Sequence, residues 1–447
     1  MFPNPQAALP LPPRPNLEQY KKLAKELVGA CKSGDANAIH DWAQHWIKAL
    51  VKLAGLTITP QLPVRVDLWV EQVAEFARRK LSSPDPQAAK CVLADAQFVI
   101  ARSHGFESWP KFARQVQDLG RTNSAITQFE LAADAIVSGD AGTLERLLTK
   151  NPELVRERSR REHGATLLHY VAANGVEGYR QRSPKNAVQI AGILLQAGAE
   201  VDATTNVYGG GSTALSLAAT SIHPLRAGVQ NALLEMLLEH GTTVEDAVGG
   251  KGLVSACLAN GRQGAAEFLA SRGAPLDLEG AAGVGRLDAV KSFFMPDGSL
   301  KSPATVEHLQ RGFLWACEFG RNEVVEFLLN KGADLGGQAG SGQTGLHWAV
   351  VGGQLSTIKL LLERGAPLEE LNSYGATALG QALWSSINGD PDADYVAIVE
   401  ALLAAGARVD VGSVEWLEKE WLEKRAGRSS AMKERIAEAL GRYRSAD

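Results

Sequence analysis

The sequence predicts an all-α fold, in the main a solenoid of about eight helix-pair repeats, with an N-terminal helical domain before it and a C-terminal helical cap after it. Three observations predict it. The pattern GxTxL recurs at Gly164-Thr166-Leu168, Gly211-Thr213-Leu215, Gly342-Thr344-Leu346 and Gly375-Thr377-Leu379, the last two 33 residues apart. A leucine-rich segment closing on glycine recurs as LLQAGAEVD, LLEHGTTVE, FLASRGAPLD, FLLNKGADL, LLERGAPLE and LLAAGARVD, with Gly332 and Gly365 again 33 apart. Between these markers apolar residues fall at helical spacing, so each period reads as one supersecondary unit stacked on the next.

Taken in order, residues 1–15, MFPNPQAALPLPPRP, have neither a basic start nor a continuous apolar run and read as a proline-rich flexible lead rather than a targeting peptide. Residues 16–120 read as about five helices forming an N-terminal domain. Leu17, Tyr20, Leu23, Ala24, Leu27 and Cys31 form its first stripe, and LADAQFVIARSHGFESWPKFARQVQDL reads as helix, Gly105 stop, Ser108 cap, helix. The repeat array spans about 128–410, with units beginning near Phe129, Gly164, Gly211, Gly252, Gly280, Gly312, Gly342 and Gly375. Residues 411–447 supply charged amphipathic helices that would seal its open end.

The unit from Gly342 to Leu368 explains the spacing. Glycine tolerates the positive φ of a tight turn, and Thr344 caps the first amides of a helix. Leu346, Ala349 and Val350 make one apolar stripe, Gly352-Gly353 reverses the chain, and Ile358, Leu361 and Leu362 make the second. From Thr to closing Gly is 21 residues here, but 32 from Thr166, 28 from Thr213 and 29 from Thr377. The extra residues fall between the two helices and are expected to project from one edge.

These residues resemble the ankyrin repeat, whose core reads GxTPLHxA, then glycine, then a leucine-rich second helix ending in GAD. The unit at Gly342 departs from it by Gly345, where the family has proline. The resemblance implies a binding scaffold that presents turn tips and inner-helix residues to a protein partner. It also implies that His169 and His347 tie neighbouring turns together rather than doing chemistry. By position in the repeat the implied contacts are Glu162, His163, Ala165, Asn174, Thr220, Glu318, Phe319, Ser341, Gln343 and Tyr374. Tyr170, Trp315 and Trp348 share one repeat position, which the family's geometry places between stacked units.

Composition narrows the rest. Residues 1–120 hold 15 Lys+Arg against 11 Asp+Glu, and the remainder holds 31 against 39. Within that acidic remainder, Arg156, Arg158, Arg160 and Arg161, with Arg180, Arg182 and Lys185 of the first insertion, form a locally basic segment suited to an acidic protein partner. Cys31, Cys91, Cys257 and Cys317 show no CxxC spacing, so reduced thiols in a cytoplasmic protein are expected, without metal or cofactor. No apolar run approaches the roughly 18 residues of a membrane span. No Ser, Cys, Glu or second His supports a catalytic histidine, so a non-enzymatic scaffold is expected. An alternative is nucleic-acid binding through residues 96–119. IARSHGFESWPKFARQVQDLG is similar to the second helix-turn-helix of AraC-type regulators at Ile100-Ala101, Gly105-Phe106, Ser108, Phe112 and Arg114.

Overall fold

The computed structural model describes residues 2–54, 62–81, 91–121, 124–242, 244, 252–409, 412, 415, 419 and 430–444. Among them the regular structure is helical, with isolated β-bridges and no strand. The chain forms two compact units, Met1–Leu253 and Val254–Asp447.

The first unit opens with α1 (Leu17–Lys32), α2 (Ala38–Leu53), α3 (Leu62–Leu81), α4 (Leu93–Ser103) and α5 (Trp109–Leu119). Leu27, Trp42, Trp46, Ile47, Phe106 and Phe112 lie in one buried cluster between them. The lead expected to be flexible is packed into this cluster instead. Leu9 is fully buried, its N–H donates to Ser103 O at 2.8 Å, and its carbonyl faces His104 Nδ1 at 3.1 Å. Burial pushes His104 down to about 3, so the ring is neutral and donates to that carbonyl.

Two of the four thiols are not free. Cys31, near the end of α1, is disulfide-bonded to Cys91, just before α4, with Cα atoms 5.9 Å apart. The expectation of reduced cysteines is corrected here because α1 and α4 lie against each other, a proximity that a separation of 60 residues gives no sign of. Cys257 and Cys317 are buried and form no disulfide among the described residues.

Helix pairs follow: α6 (Ala125–Ser138) with α7 (Ala141–Lys150), α8 (Leu167–Val171) with α9 (Ala187–Gln196), and α10 (Ala214–Thr220) with α12 (Gln230–Glu239). The two insertions of this unit hold a 3-10 turn at Gly178–Arg180 and the short α11 (Ile222–Arg226). Antiparallel bridges Arg158↔Thr166 and Thr205↔Ser212 close the fingers before α8 and α10.

The second unit repeats the plan with α13 (Leu253–Ala259), α14 (Gln263–Ser271), α15 (Leu278–Gly283), α16 (Leu287–Ser292), α17 (Val306–Glu318), α18 (Asn322–Asn330), α19 (Gly345–Val351), α20 (Leu355–Glu363), α21 (Ala378–Asn388) and α22 (Tyr395–Ala404). Neighbouring inner helices touch, α15 on α17, α17 on α19 and α19 on α21, and one buried cluster runs through all of them. The final helix, α23 (Ser430–Arg444), packs on α22 and buries Ile436, Ala439 and Leu440. Trp416 and Trp421 of the expected cap lie outside the described residues.

Two backbone details fix the α19 repeat. A Cβ on Gly352 would stand 1.8 Å from Glu318 O, so only glycine lets the turn after α19 close onto α17. Gly345 is the first residue of α19, where proline is ordinarily favoured. A Cβ there would meet Phe313 at 2.8 Å and Cys317 Sγ at 3.1 Å. The Phe313 ring of α17 therefore occupies the space that the family's proline would need. Gly345→Pro, which restores the family pattern, is expected to destabilise the protein by roughly 1–3 kcal/mol through overpacking. Urea denaturation of this variant and of Gly345→Pro/Phe313→Leu checks it: the second substitution should recover most of the loss.

Candidate partner-binding groove

The basic segment at 156–185 does not form one exposed patch. Arg161 and Arg180 turn inward, and their side chains are 1% and 5% exposed. Arg161 Nη1 lies 2.8 Å from Glu130 Oε1 and 2.8 Å from Glu177 Oε1. Arg180 Nη1 donates to Glu130 Oε2 at 2.7 Å, and its Nε donates to Asp134 Oδ1 at 2.8 Å. Burial alone would push Glu177 up. Arg161 and Arg180 overcome that and hold its carboxyl well below the usual carboxylate range. Tyr170, fully buried, donates to Glu177 Oε1 at 3.3 Å, and Arg161 donates to the Tyr179 hydroxyl at 3.2 Å.

This network joins α6 to the finger before α8 and to the first insertion. Two residues expected beside it as contacts, His163 and Ala165, are also buried. The first insertion thus folds Glu177 and Arg180 into the unit, where unpaired charges could not remain, and does not simply project. Arg160 is paired with Asp118 at 2.8 Å, Glu162 with Arg102 at 2.7 Å, and Arg158 donates to Gly164 O and Thr204 O at 3.0 and 2.7 Å. Arg156, Arg182 and Lys185 are exposed. Asn174 is half-buried and donates to Leu217 O and Thr220 Oγ1, both at 3.2 Å, while Thr220 donates to Ser216 O at 2.9 Å.

The segment at 96–119 does form helix, turn, helix as α4 and α5. Pro110 falls in the first turn of α5, where it needs no N–H partner. Phe112, Gln115 and Val116 are buried, which leaves Lys111 and Arg114 outward, and Lys111 is paired with Glu107.

In the second unit three of the expected contacts converge. Ser341, Gln343 and Tyr374 line a groove of 740 Å³ together with Trp348, Asn372, Gln381 and Trp384. Trp348 is on α19, Trp384 on α21, and Tyr374 on the finger between repeats, where it is 81% exposed. Trp348, which the resemblance placed between repeats, packs one side on the core and turns the other to the groove. Glu318 and Phe319, also expected as contacts, do not line it; Phe319 is buried, and burial pushes Glu318 up to about 7.

The finger is held by hydrogen bonds that start at His347. Thr344 N–H donates to His347 Nδ1 at 3.3 Å, so the ring proton is on Nε2, which donates to Ala376 O at 3.1 Å. Asn372 Oδ1 accepts from Tyr374 N and Ala376 N, both at 3.0 Å, and Ser373 N–H donates to Ser341 O at 2.9 Å. Burial lowers the His347 pKa, which keeps the ring neutral and the tautomer fixed. The same Thr-x-x-His bond recurs at Thr166 with His169 and at Thr305 with His308.

Asn372, Gln381 and Trp384 were not singled out from the sequence as contacts. Trp384 stands seven residues after Thr377, whereas Trp348 stands four after Thr344. The available signal was an aromatic one helical turn further along a longer inner helix.

Residues 313–413 match the family model of ankyrin repeats, in three copies. Over that span the chain is similar to ankyrin repeats, which are in general protein–protein interaction modules. Among solved structures the human ASB11 ankyrin repeat domain is similar at 22% identity with a TM-score of 0.33, over 62% of this chain and 99% of that one. No curated protein matches the chain. No described helix is long and apolar enough to cross a membrane.

Removing one member of a buried ion network leaves its partners charged and uncompensated. Arg161→Met and Arg180→Met are each expected to destabilise the protein by roughly 3–5 kcal/mol, while Arg156→Ala and Arg182→Ala stay within about 0.5 kcal/mol of the parent. Denaturant midpoints of the four variants measure this directly.

Proposed function

We propose that the chain is a non-enzymatic scaffold that binds a protein partner through the groove of Trp348, Tyr374 and Trp384. One observation carries this reading. Two tryptophans and a tyrosine from successive repeats stand partly open to solvent around one concavity, although aromatic side chains of this size are ordinarily buried or engaged at interfaces. Rigid aromatics held by packed helices contribute contact area at little entropic cost, which suits them as anchors for a partner side chain.

The basic segment at 156–185 has a smaller part in this reading. Its most central arginines already satisfy carboxylates of their own chain. Arg156, Arg182 and Lys185 are left as outward cations that an acidic region of a partner could meet.

A photo-crosslinking amino acid in place of Tyr374, in cells of the source organism, tests the reading. A discrete adduct is expected, lost when Trp348 and Trp384 are both changed to Ala in a protein that still folds. An adduct recovered unchanged from that double variant contradicts it.

A further inference from the structure

The groove also states what kind of side chain it takes. We propose that it receives an arginine side chain of the partner, stacked on the tryptophans and donating to Gln343. This rests on the groove being the partner-binding surface.

The orientation of three amides is fixed in sequence. The oxygen of Asn372 must face the N–H groups of Tyr374 and Ala376, so its nitrogen faces Gln381 Oε1, at 3.4 Å. Gln381 Nε2 in turn donates to Ser385 Oγ at 3.1 Å. Gln343 must then present its nitrogen to Gln381 Oε1, at 3.5 Å, and its own Oε1 is left over. Gln343 lines the groove, and that oxygen is buried just behind its surface with no hydrogen-bond partner among the described residues. A buried acceptor without a donor is unfavourable, and a ligand that brings an N–H removes the penalty.

Charge points the same way. None of the described residues that line the groove is cationic, and none is a carboxylate. Residues 351–400 contain two Lys+Arg against seven Asp+Glu. Glu370, exposed just before the finger, is near enough to His347 to act on its charge, and the His347 ring is bonded to Ala376 in the groove wall. The ligand is therefore flat enough to stack on indole, rich in donors and positively charged. Guanidinium has five N–H donors, no acceptor, and a weakly hydrated planar face. An ammonium is compact and strongly hydrated, proline brings no donor, and a carboxylate would meet the orphan oxygen.

The test uses the full chain with 15N-labelled indoles and a capped Gly-Arg-Gly tripeptide. Capped tripeptides with citrulline, lysine or proline in place of arginine serve as comparators. The Trp348 and Trp384 Nε1–H resonances are expected to shift saturably with arginine, and about tenfold more weakly with citrulline, which keeps the shape and loses the charge. Gln343→Met should weaken the arginine response by about tenfold and leave the comparators unchanged, whereas Gln343→Glu should strengthen it. An equal response to citrulline, lysine or proline, or no response to arginine on the unsubstituted protein, overturns the proposal whatever the variants do. If the adduct at position 374 still depends on Trp348 and Trp384, the interaction reading survives that outcome; if the adduct does not, that reading falls on its own test.

Discussion

A single imidazole sets the geometry on which the candidate site depends. His347 accepts from the turn of its own repeat and donates to Ala376 O of the next, so the finger carrying Asn372 and Tyr374 is placed by the helix that carries Trp348. A helix pair of nine or fewer residues per helix, as α19 and α20 are, has little stability alone. It persists because Leu346, Ala349 and Val350 on one helix and Ile358 and Leu361 on the other are buried against neighbouring pairs. Apolar burial supplies the driving force without direction. The Thr-x-x-His bonds supply register, and the groove is a consequence of that register.

The first unit solves a related problem with charge. The finger before α8 and the first insertion are both rich in arginine, and both must lie against α6. Arg161 and Arg180 meet Glu130, Glu177 and Asp134 there, and Tyr170 and Tyr179 add hydrogen bonds to the network. Burying such a network adds little net stability compared with apolar packing of the same volume, but breaking it is expensive. It acts as a constraint on how the insertion folds back. The surface left for a partner in that region is correspondingly smaller than the count of arginines suggests.

The helical repeats were legible in the sequence because their determinants are local: a glycine where φ is positive, a threonine cap, and leucines at helical spacing. The role of His347 was legible because the resemblance implied it, whereas the bond that the structure shows for His169 is the one within its own turn. What the sequence did not reveal depends on partners distant along the chain. Arg161 and Arg180 look like solvated charges until Glu130, 31 and 50 residues away, is placed beside them. The Cys31–Cys91 bond, the burial of Leu9 and the reason that glycine stands at 345 all depend on contacts with a distant element. The groove was half legible: position within the repeat indicated Ser341, Gln343 and Tyr374, but the approach of Trp384 required the longer α21.

Hydroxyl-radical labelling of the aromatic side chains, in purified protein and in cells, tests most directly the claim that this groove is the working surface. Tyr208 and Tyr443, 50% and 39% exposed and outside the groove, serve as internal references. The account predicts that Tyr374 and Trp384 are labelled readily in the purified chain and protected in cells, with the two references unchanged. Equal labelling of Tyr374 and Trp384 in both settings would contradict it.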